Sequence, residues 1–415
     1  MSNLGLKSQI LSPMILKLRE EIKIDKKTTI SKFWKKIEEI GTPIFEDIEG
    51  DNKYNLITFV FREDEEVENI VCYIRIYLQN MFLTQDIKEC ILERIIGTNI
   101  YFKSYKILKG IRATYILSKN NPLEPKNPQE NWVKYLDTIV LDPFNSKKSI
   151  SKIKGILIPI HEIESPEAPP QSWYGNRINI DHGKVKEFTS YSEVLKNERQ
   201  ILVYTPPNYS KKHIPYHFLL LFDGILYEEN AKVSSTLDNL ITDDKIPPLV
   251  AVMVENFGSS TPNLRNNELY ANPKFVEYVI KELLPWVREN FNIITNPSQT
   301  VVAGTSAGAI MSTFIAFKHP EIFGNVISTS GAYWKLGEEY ANQFAHSERL
   351  PLKFYLDVGV LEEASPSGIF NANRHFCTVL QEKGYPICYK EFLGGHDFIC
   401  FRGSIADGLI YLIGK

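Results

Sequence analysis

The chain has 415 residues, too many for one typical hydrophobic core and enough for roughly two or three domains. Its 47 basic and 50 acidic side chains leave a formal net charge of -3, so neither nucleic acid nor an anionic membrane has an electrostatic reason to bind, and a small-molecule substrate is the expected partner. Five cysteines (Cys72, Cys90, Cys377, Cys388, Cys400) are odd in number, widely spaced and lack a CxxC pair, a pattern that indicates neither a disulfide framework nor a zinc site and fits reduced thiols in a cytoplasmic protein.

At the N-terminus, "MSNLGLKSQILSPMILKLREE" has no long apolar stretch, because "ILSPMIL" is interrupted by Ser12 and Pro13 and followed by charges. No run in the chain approaches the roughly 18 apolar residues of a membrane span. A short helix is expected over "TISKFWKKIEEIG", with Thr29 or Ser31 as cap and Gly41 as stop. From there to about Tyr115 the runs "NLITFVFRE", "NIVCYIRIYL" and "ATYILS" are rich in β-branched and aromatic residues, the vocabulary of a β-sandwich, and predict a first domain over residues 1–150.

Between about 118 and 175 lie "NNPLEPKNPQENW", "LDPFNSKKS" and "ESPEAPPQSWYG", dense in Pro, Asn and Ser, and residues 151–175 are expected to be a linker. Beyond it, "RQILVYTPP", "HFLLLFDG", "PPLVAVMV", "TVVAGTS" and "LKFYLDVG" are short, continuous apolar runs bounded by turn residues, as in strands buried on both faces of a mostly parallel sheet. "KFVEYVIKELLPWVRENF" and "AGAIMSTFIAFKHP" have helical apolar spacing, and the alternation predicts a doubly wound α/β domain over residues 176–415.

Residues 304 to 308 read G-T-S-A-G, a nucleophile elbow G-x-S-x-G between a strand and a helix, where a Cβ at either glycine is expected to collide with its neighbours. The alternative is an ordinary turn serine, so Ser306 needs a histidine base and an orienting acid to act as a nucleophile. In α/β hydrolases the chain order is Ser, acid, His, which leaves His319, His346, His375 and His396. His319 ends the helix after the serine, and His346 and His375 lie in polar helical surroundings. His396, in the Gly-Gly turn "EFLGGHDF" after a strand near the C-terminus, is the candidate base. For the acid, "FYLDVGVLEE" offers Asp357 within the strand and Glu362 and Glu363 beyond it; the loop position favours Glu362, and a Ser–His dyad is the other option. Asp397 reads as a structural hydrogen-bonding residue. The amide of Ala307 at the helix start is one expected oxyanion donor, and those of Gly224, Ile225 and Leu226, after "FLLLFDG", supply the second.

Taken together, "LLLFDG", "RNNELYANPKFVEYVIKELLPWV", "VVAGTSAG", "PEIFGNVISTSGAYW" and "GGHDFICFRGSIADGLIYL" resemble the enterochelin esterase family, of the esterase D type. So do "FWKKIEEIGTPIFE", "LITFVFR" and "LERIIGTNIYFKSY", which look like its characteristic N-terminal domain, an immunoglobulin-like sandwich. The resemblance spans nearly the whole chain and implies an α/β-hydrolase domain that cleaves the backbone esters of cyclic tri-catecholate siderophores in the cytoplasm. It carries the nucleophile to Ser306, the base to His396 and the acid to Glu362 in "VGVLE". It places Arg265 and Glu268, in an "RxxEL" segment, near the rim of the site, where a guanidinium would suit an anionic ferric catecholate. It implies no protein-bound metal or organic cofactor, iron arriving only with the substrate. Trp334 after "SGAY" is the leading aromatic candidate for reading a catechol ring, ahead of Trp173, Tyr174 and Trp34. The chain departs from the family at Thr305, Ala307 and Ala309 around the serine, and at Phe401, where the family has tryptophan. Rival readings are a general carboxylesterase or feruloyl-type esterase on the same scaffold, and a binding protein with a decayed hydrolase.

Overall fold

Ser12 and Pro13, read above as an interruption, start a helix. The Ser12 hydroxyl accepts from the Ile15 amide at 3.2 Å, and Pro13 occupies the first turn of α1 (Pro13–Ile24), where its missing N–H costs nothing. The next helix, α2 (Lys26–Ile40), begins three residues before the expected cap: Asp25 accepts from the Thr28 amide, and neither Thr29 nor Ser31 caps it. Its stop at Gly41 is as expected, at φ 76.

The computed structural model describes residues 11–75, 87–123, 136–153, 156–256, 264–365 and 367–415. Residues 76–78 of the expected strand "NIVCYIRIYL", 124–132 of "NNPLEPKNPQENW" and the first ten residues lie outside these. The chain divides into two units, Met1–Pro170 with Leu393–Asp397, and Gln171–Phe392 with Phe398–Lys415.

In the first unit, α3 (Ile87–Cys90) accompanies strands β1 (Ile44–Ile48), β2 (Asp51–Arg62), β3 (Ile70–Arg75), β4 (Glu93–Arg94), β5 (Ile100–Leu108), β6 (Arg112–Lys119), β7 (Ile139–Val140), β8 (Lys148–Ile153) and β9 (Ile156–Glu164). They form two antiparallel sheets, ordered β1-β2-β5-β4 and β3-β6-β9-β8, with β7 on β6. Phe59 of one sheet and Tyr115 of the other meet edge to face at 4.8 Å, which gives the sandwich its core contact. The hairpin β8–β9 runs through residues expected to be linker. There the alternating Ile residues of "SISKIKGILIPIHEIE" outweigh the flanking prolines.

The second unit holds an eight-stranded sheet in the order β10-β11-β13-β12-β14-β15-β16-β17. Its strands are β10 (Lys184–Ser192), β11 (Asn197–Thr205), β12 (His217–Phe222), β13 (Leu249–Val254), β14 (Thr300–Thr305), β15 (Asn325–Thr329), β16 (Lys353–Gly359) and β17 (Ile387–Phe392). The first two are antiparallel and every pairing from β13 to β17 is parallel. All five apolar runs named above fall in this sheet, and β13 and β14 are buried along their whole length, as is β12 from Phe218 on.

The helices of this unit are α4 (Gly224–Ala231), α5 (Val233–Thr242), α6 (Leu264–Leu269), α7 (Pro273–Tyr278), α8 (Leu284–Asn290), α9 (Ala307–Lys318), α10 (Glu338–His346), α11 (Ile369–Glu382) and α12 (Phe398–Ile413). The single helix expected over "KFVEYVIKELLPWVRENF" is α7 and α8 joined by a π-helical turn, Val279–Leu283, which widens the coil ahead of Pro285. The strand order reverses at β12, which lies between β13 and β14, so the turns leaving β12 and β14 flank the crevice where open α/β sheets bind ligands.

Candidate active site

β14 ends at Thr305, and α9 begins at Ala307, so Ser306 is the single residue of the turn. Its backbone is at φ 59, ψ -115, a conformation strained for a side-chain-bearing residue and held by the Ser306 amide donating to the Thr329 carbonyl at 3.0 Å. The two glycines contribute unequally. A Cβ on Gly304 would lie 2.5 Å from the Gly308 carbonyl carbon and oxygen, an impossible overlap. A Cβ on Gly308 would meet Phe222 and Asp223 at 3.5 Å and Leu269 at 4.0 Å, ordinary contacts, so the collision expected at both positions is confined to Gly304.

Glu362 lies in a 3-10 turn, Val360–Ala364, just beyond β16, and is fully buried. Its Oε1 accepts from the Ser330 hydroxyl at 2.6 Å and from the Gly359 amide at 2.9 Å. Ser330, at φ 46, follows β15 and bonds by its amide to the Asp357 carbonyl at 2.8 Å. Ser330 therefore fixes the carboxylate of Glu362 to the end of the neighbouring strand. Sequence reasoning passed over it, although "STSGAYW" holds a serine directly after a buried strand. Asp357 lies inside β16, opposite Thr329 and Lys390, and Tyr355 donates to it at 3.3 Å. Burial pushes its carboxyl up to about 7.

His396 is nearly buried in Leu393–Asp397, the segment that leaves β17 and enters α12. The Arg112 amide donates to the Leu393 carbonyl at 3.0 Å, and Thr114 donates to Asp397 at 2.5 Å, the structural role expected of that aspartate. Of the other candidate histidines, His319 and His346 lie at helix ends, where His319 faces Glu321 at 2.9 Å and His346 faces the Asn342 carbonyl, and His375 is exposed within α11.

Ala307 and Gly224 each open a helix, so the amides of Ala307, Gly224 and Ile225 belong to first turns, which lack intrahelical acceptors. The residue before Gly224, Asp223, is left-handed at φ 57, ψ 39. Met253 closes in on Gly224, where a Cβ would lie 2.5 Å from its backbone, so only glycine fits.

Arg265 and Glu268 lie on one face of α6, and both are buried, away from the rim position expected of them. Arg265 grips Asp223 with two bonds, Nε to Oδ1 at 2.8 Å and Nη2 to Oδ2 at 2.7 Å, and Nη2 also donates to the Thr305 carbonyl at 3.2 Å. Burial works against its charge, and the Asp223 carboxylate outweighs it, so the guanidinium is held charged. Glu268 takes two bonds from Arg199, at 3.0 and 2.6 Å, and one from Asn256 Nδ2 at 3.0 Å.

Of the aromatic candidates, Trp334 is 37 % exposed in the turn after β15, with the Lys335 ammonium 4.5 Å from its ring. Trp34 is a core residue, stacked on Phe144 at 5.3 Å. Trp173 donates to Asp243 at 3.0 Å, and Tyr174 lies under the Arg402 guanidinium at 3.8 Å.

The family model for putative esterases matches residues 192–412, and that for the enterochelin esterase N-terminal domain matches residues 56–174. The iron(III) enterobactin esterase of Escherichia coli K12 is 26% identical over 375 residues, spanning 86% of this chain and 90% of that protein. The iron(III) salmochelin esterase of Escherichia coli O6:H1 is 22% identical over 96% of this chain and 98% of its own. The crystal structure of the ferric enterobactin esterase from Salmonella typhimurium has the same fold, with a TM-score of 0.75 over 92% of this chain and 98% of its own at 23% identity. With both domains matched in order, the chain belongs to the enterochelin esterase family, an N-terminal domain of that type followed by an esterase domain of α/β-hydrolase fold.

Proposed function

We propose that this protein is a serine esterase that hydrolyses the ester backbone of ferric tri-catecholate siderophores in the cytoplasm. The observation that carries the reading is the elbow: a serine at φ 59 between a buried parallel strand and a helix, on a turn that admits only glycine at position 304. The relatives named as iron(III) enterobactin and salmochelin esterases, matched along both domains, support this substrate class.

His396 takes the Ser306 proton as the hydroxyl attacks an ester carbonyl, and Glu362 orients the imidazole from its buried site. The amides of Ala307, Gly224 and Ile225 stabilise the oxyanion. His396 then protonates the leaving hydroxyl, and water repeats the sequence on the acyl-enzyme. Trp334, with Lys335 beside its ring, offers a face and a positive charge to an anionic catecholate. Arg265 and Glu268 support the site from below; their burial suits that role better than direct contact with substrate.

A general or feruloyl-type esterase on this scaffold is the second reading. Its support is the endo-1,4-beta-xylanase/feruloyl esterase of Xylanibacter ruminicola, 29% identical over 50% of this chain. Incubation with ferric and iron-free tri-catecholates, followed by mass spectrometry, separates the two. The first reading expects ring-opened linear trimers and dimers and the monomeric catecholate hydroxy acid as products, absent with Ser306→Ala. Turnover of short aryl esters alone would sink it.

A further inference from the structure

We propose that Arg265 is a positioning residue for ester cleavage, aligning the oxyanion donors of the β12–α4 turn with the elbow serine through Asp223 and the Thr305 carbonyl. This rests on the reading of Ser306 as the nucleophile.

The turn after β12 needs an outside constraint. Asp223 holds a left-handed backbone at φ 57 without being glycine, at a cost of about 1 kcal/mol or more. Its conformation sets the direction of the next N–H, that of Gly224, so any relaxation of Asp223 would swing that donor. Two contacts prevent this. The Asp223 amide donates to Asn256 Oδ1 at 3.1 Å, and its carboxylate is gripped at both oxygens by Arg265. The same guanidinium holds the Thr305 carbonyl, one residue before the serine, at 3.2 Å. One planar side chain thus ties both sides of the crevice together, and the Asp223 carboxylate lies against the first turn of α9 at Gly308.

Behind this pair stands a second. Asn256 donates to Glu268, and Glu268 is held bidentately by Arg199, whose guanidinium lies 4.7 Å from the Tyr278 ring. The series runs from β11 through α6 and the ends of β13 and β12 to the end of β14, entirely within the second unit. Buried ion pairs are often no more stabilising than apolar packing of equal volume. Stability alone therefore gives little reason for two of them here. Both are gathered around the C-terminal ends of the strands that flank the elbow, and a bidentate fork fixes angle as well as distance.

The test uses a fluorophosphonate, which phosphonylates an activated serine through an oxyanion-like transition state, together with steady-state hydrolysis of an aryl ester by the full chain. Wild type should label at Ser306 and Ser306→Ala should not; equal labelling of the two would overturn the nucleophile reading itself. Given that control, Arg265→Lys should lower the labelling rate and kcat together, by roughly tenfold or more, with KM within about threefold. Because Arg265→Lys could fail to fold, the double variant Asp223→Asn with Arg265→Gln provides a neutral, hydrogen-bonded pair of similar volume. It should fold with a thermal midpoint near wild type and lose kcat by about 100-fold. A folded double variant that labels and turns over at the wild-type rate would overturn the proposal. So would a rise in KM at unchanged kcat, which would mark Arg265 as a substrate contact.

Discussion

Glycine at 304 and glycine at 308 belong to one short motif, and the backbone around them makes different demands on each. At 304 a methyl group would occupy the space of the Gly308 carbonyl, and neither backbone can retreat because both are fixed by β14 and α9. Gly304→Ala is expected to destabilise the domain by about 2–4 kcal/mol and to abolish esterase turnover, whereas Gly308→Ala should fold with a nearly unchanged midpoint. Thermal unfolding of the two variants checks this, and equal losses would show that the overlap at 304 relaxes. The motif spacing was legible in the sequence because any G-x-S-x-G advertises itself. The inequality of its glycines was hidden, since it depends on which neighbouring backbone approaches which Cα.

At the scale of elements, β16 and the turn beyond it present two buried carboxyls with opposite environments. Glu362 receives bonds from Ser330 and Gly359, whereas burial inside the strand pushes Asp357 up to about 7. A carboxyl that holds its proton near neutral pH is a poor permanent partner for an imidazolium. Glu362→Gln should therefore lower kcat by about 100-fold or more, and Asp357→Asn by less than about threefold at pH 7; the reverse order in side-by-side kinetics would exchange their roles. The same burial makes a stability prediction. The folded carboxyl keeps its proton up to about pH 7, whereas the unfolded one releases it near its ordinary value of 3.8. Between these the wild-type fold loses stability as pH rises, by up to about 1.4 kcal/mol per pH unit. Asp357→Asn removes that loss, so its midpoint relative to wild type should climb from pH 5 to pH 8. A difference independent of pH would reject the raised titration.

Across the whole molecule, Cys388 is partly exposed and the other four cysteines are buried. Burial raises the Cys72 thiol well above its usual range and moves Cys377 up to about 11. A reductant should leave the unfolding midpoint unchanged, and a chromogenic disulfide should react rapidly with at most Cys388 in the native protein and with all five thiols after denaturation. Fast native labelling of two or more would contradict the packing. At this scale the chain's own order announced a great deal: an N-terminal β domain, an alternating α/β domain, a serine after a strand and a histidine near the end. Such features were visible because strand and helix write their periods into neighbouring residues, and because the elbow is local. The hairpin over 148–164 was masked by flanking prolines, and the exposed edge strand β10 carried too little apolar signal to be found. Only the tertiary structure decided that Ser330 holds Glu362 and that Arg265 and Glu268 turn inward onto Asp223 and Arg199. Those partners lie 32, 42 and 69 residues apart in the chain, and no local pattern records which distant groups a fold will bring within hydrogen-bonding reach.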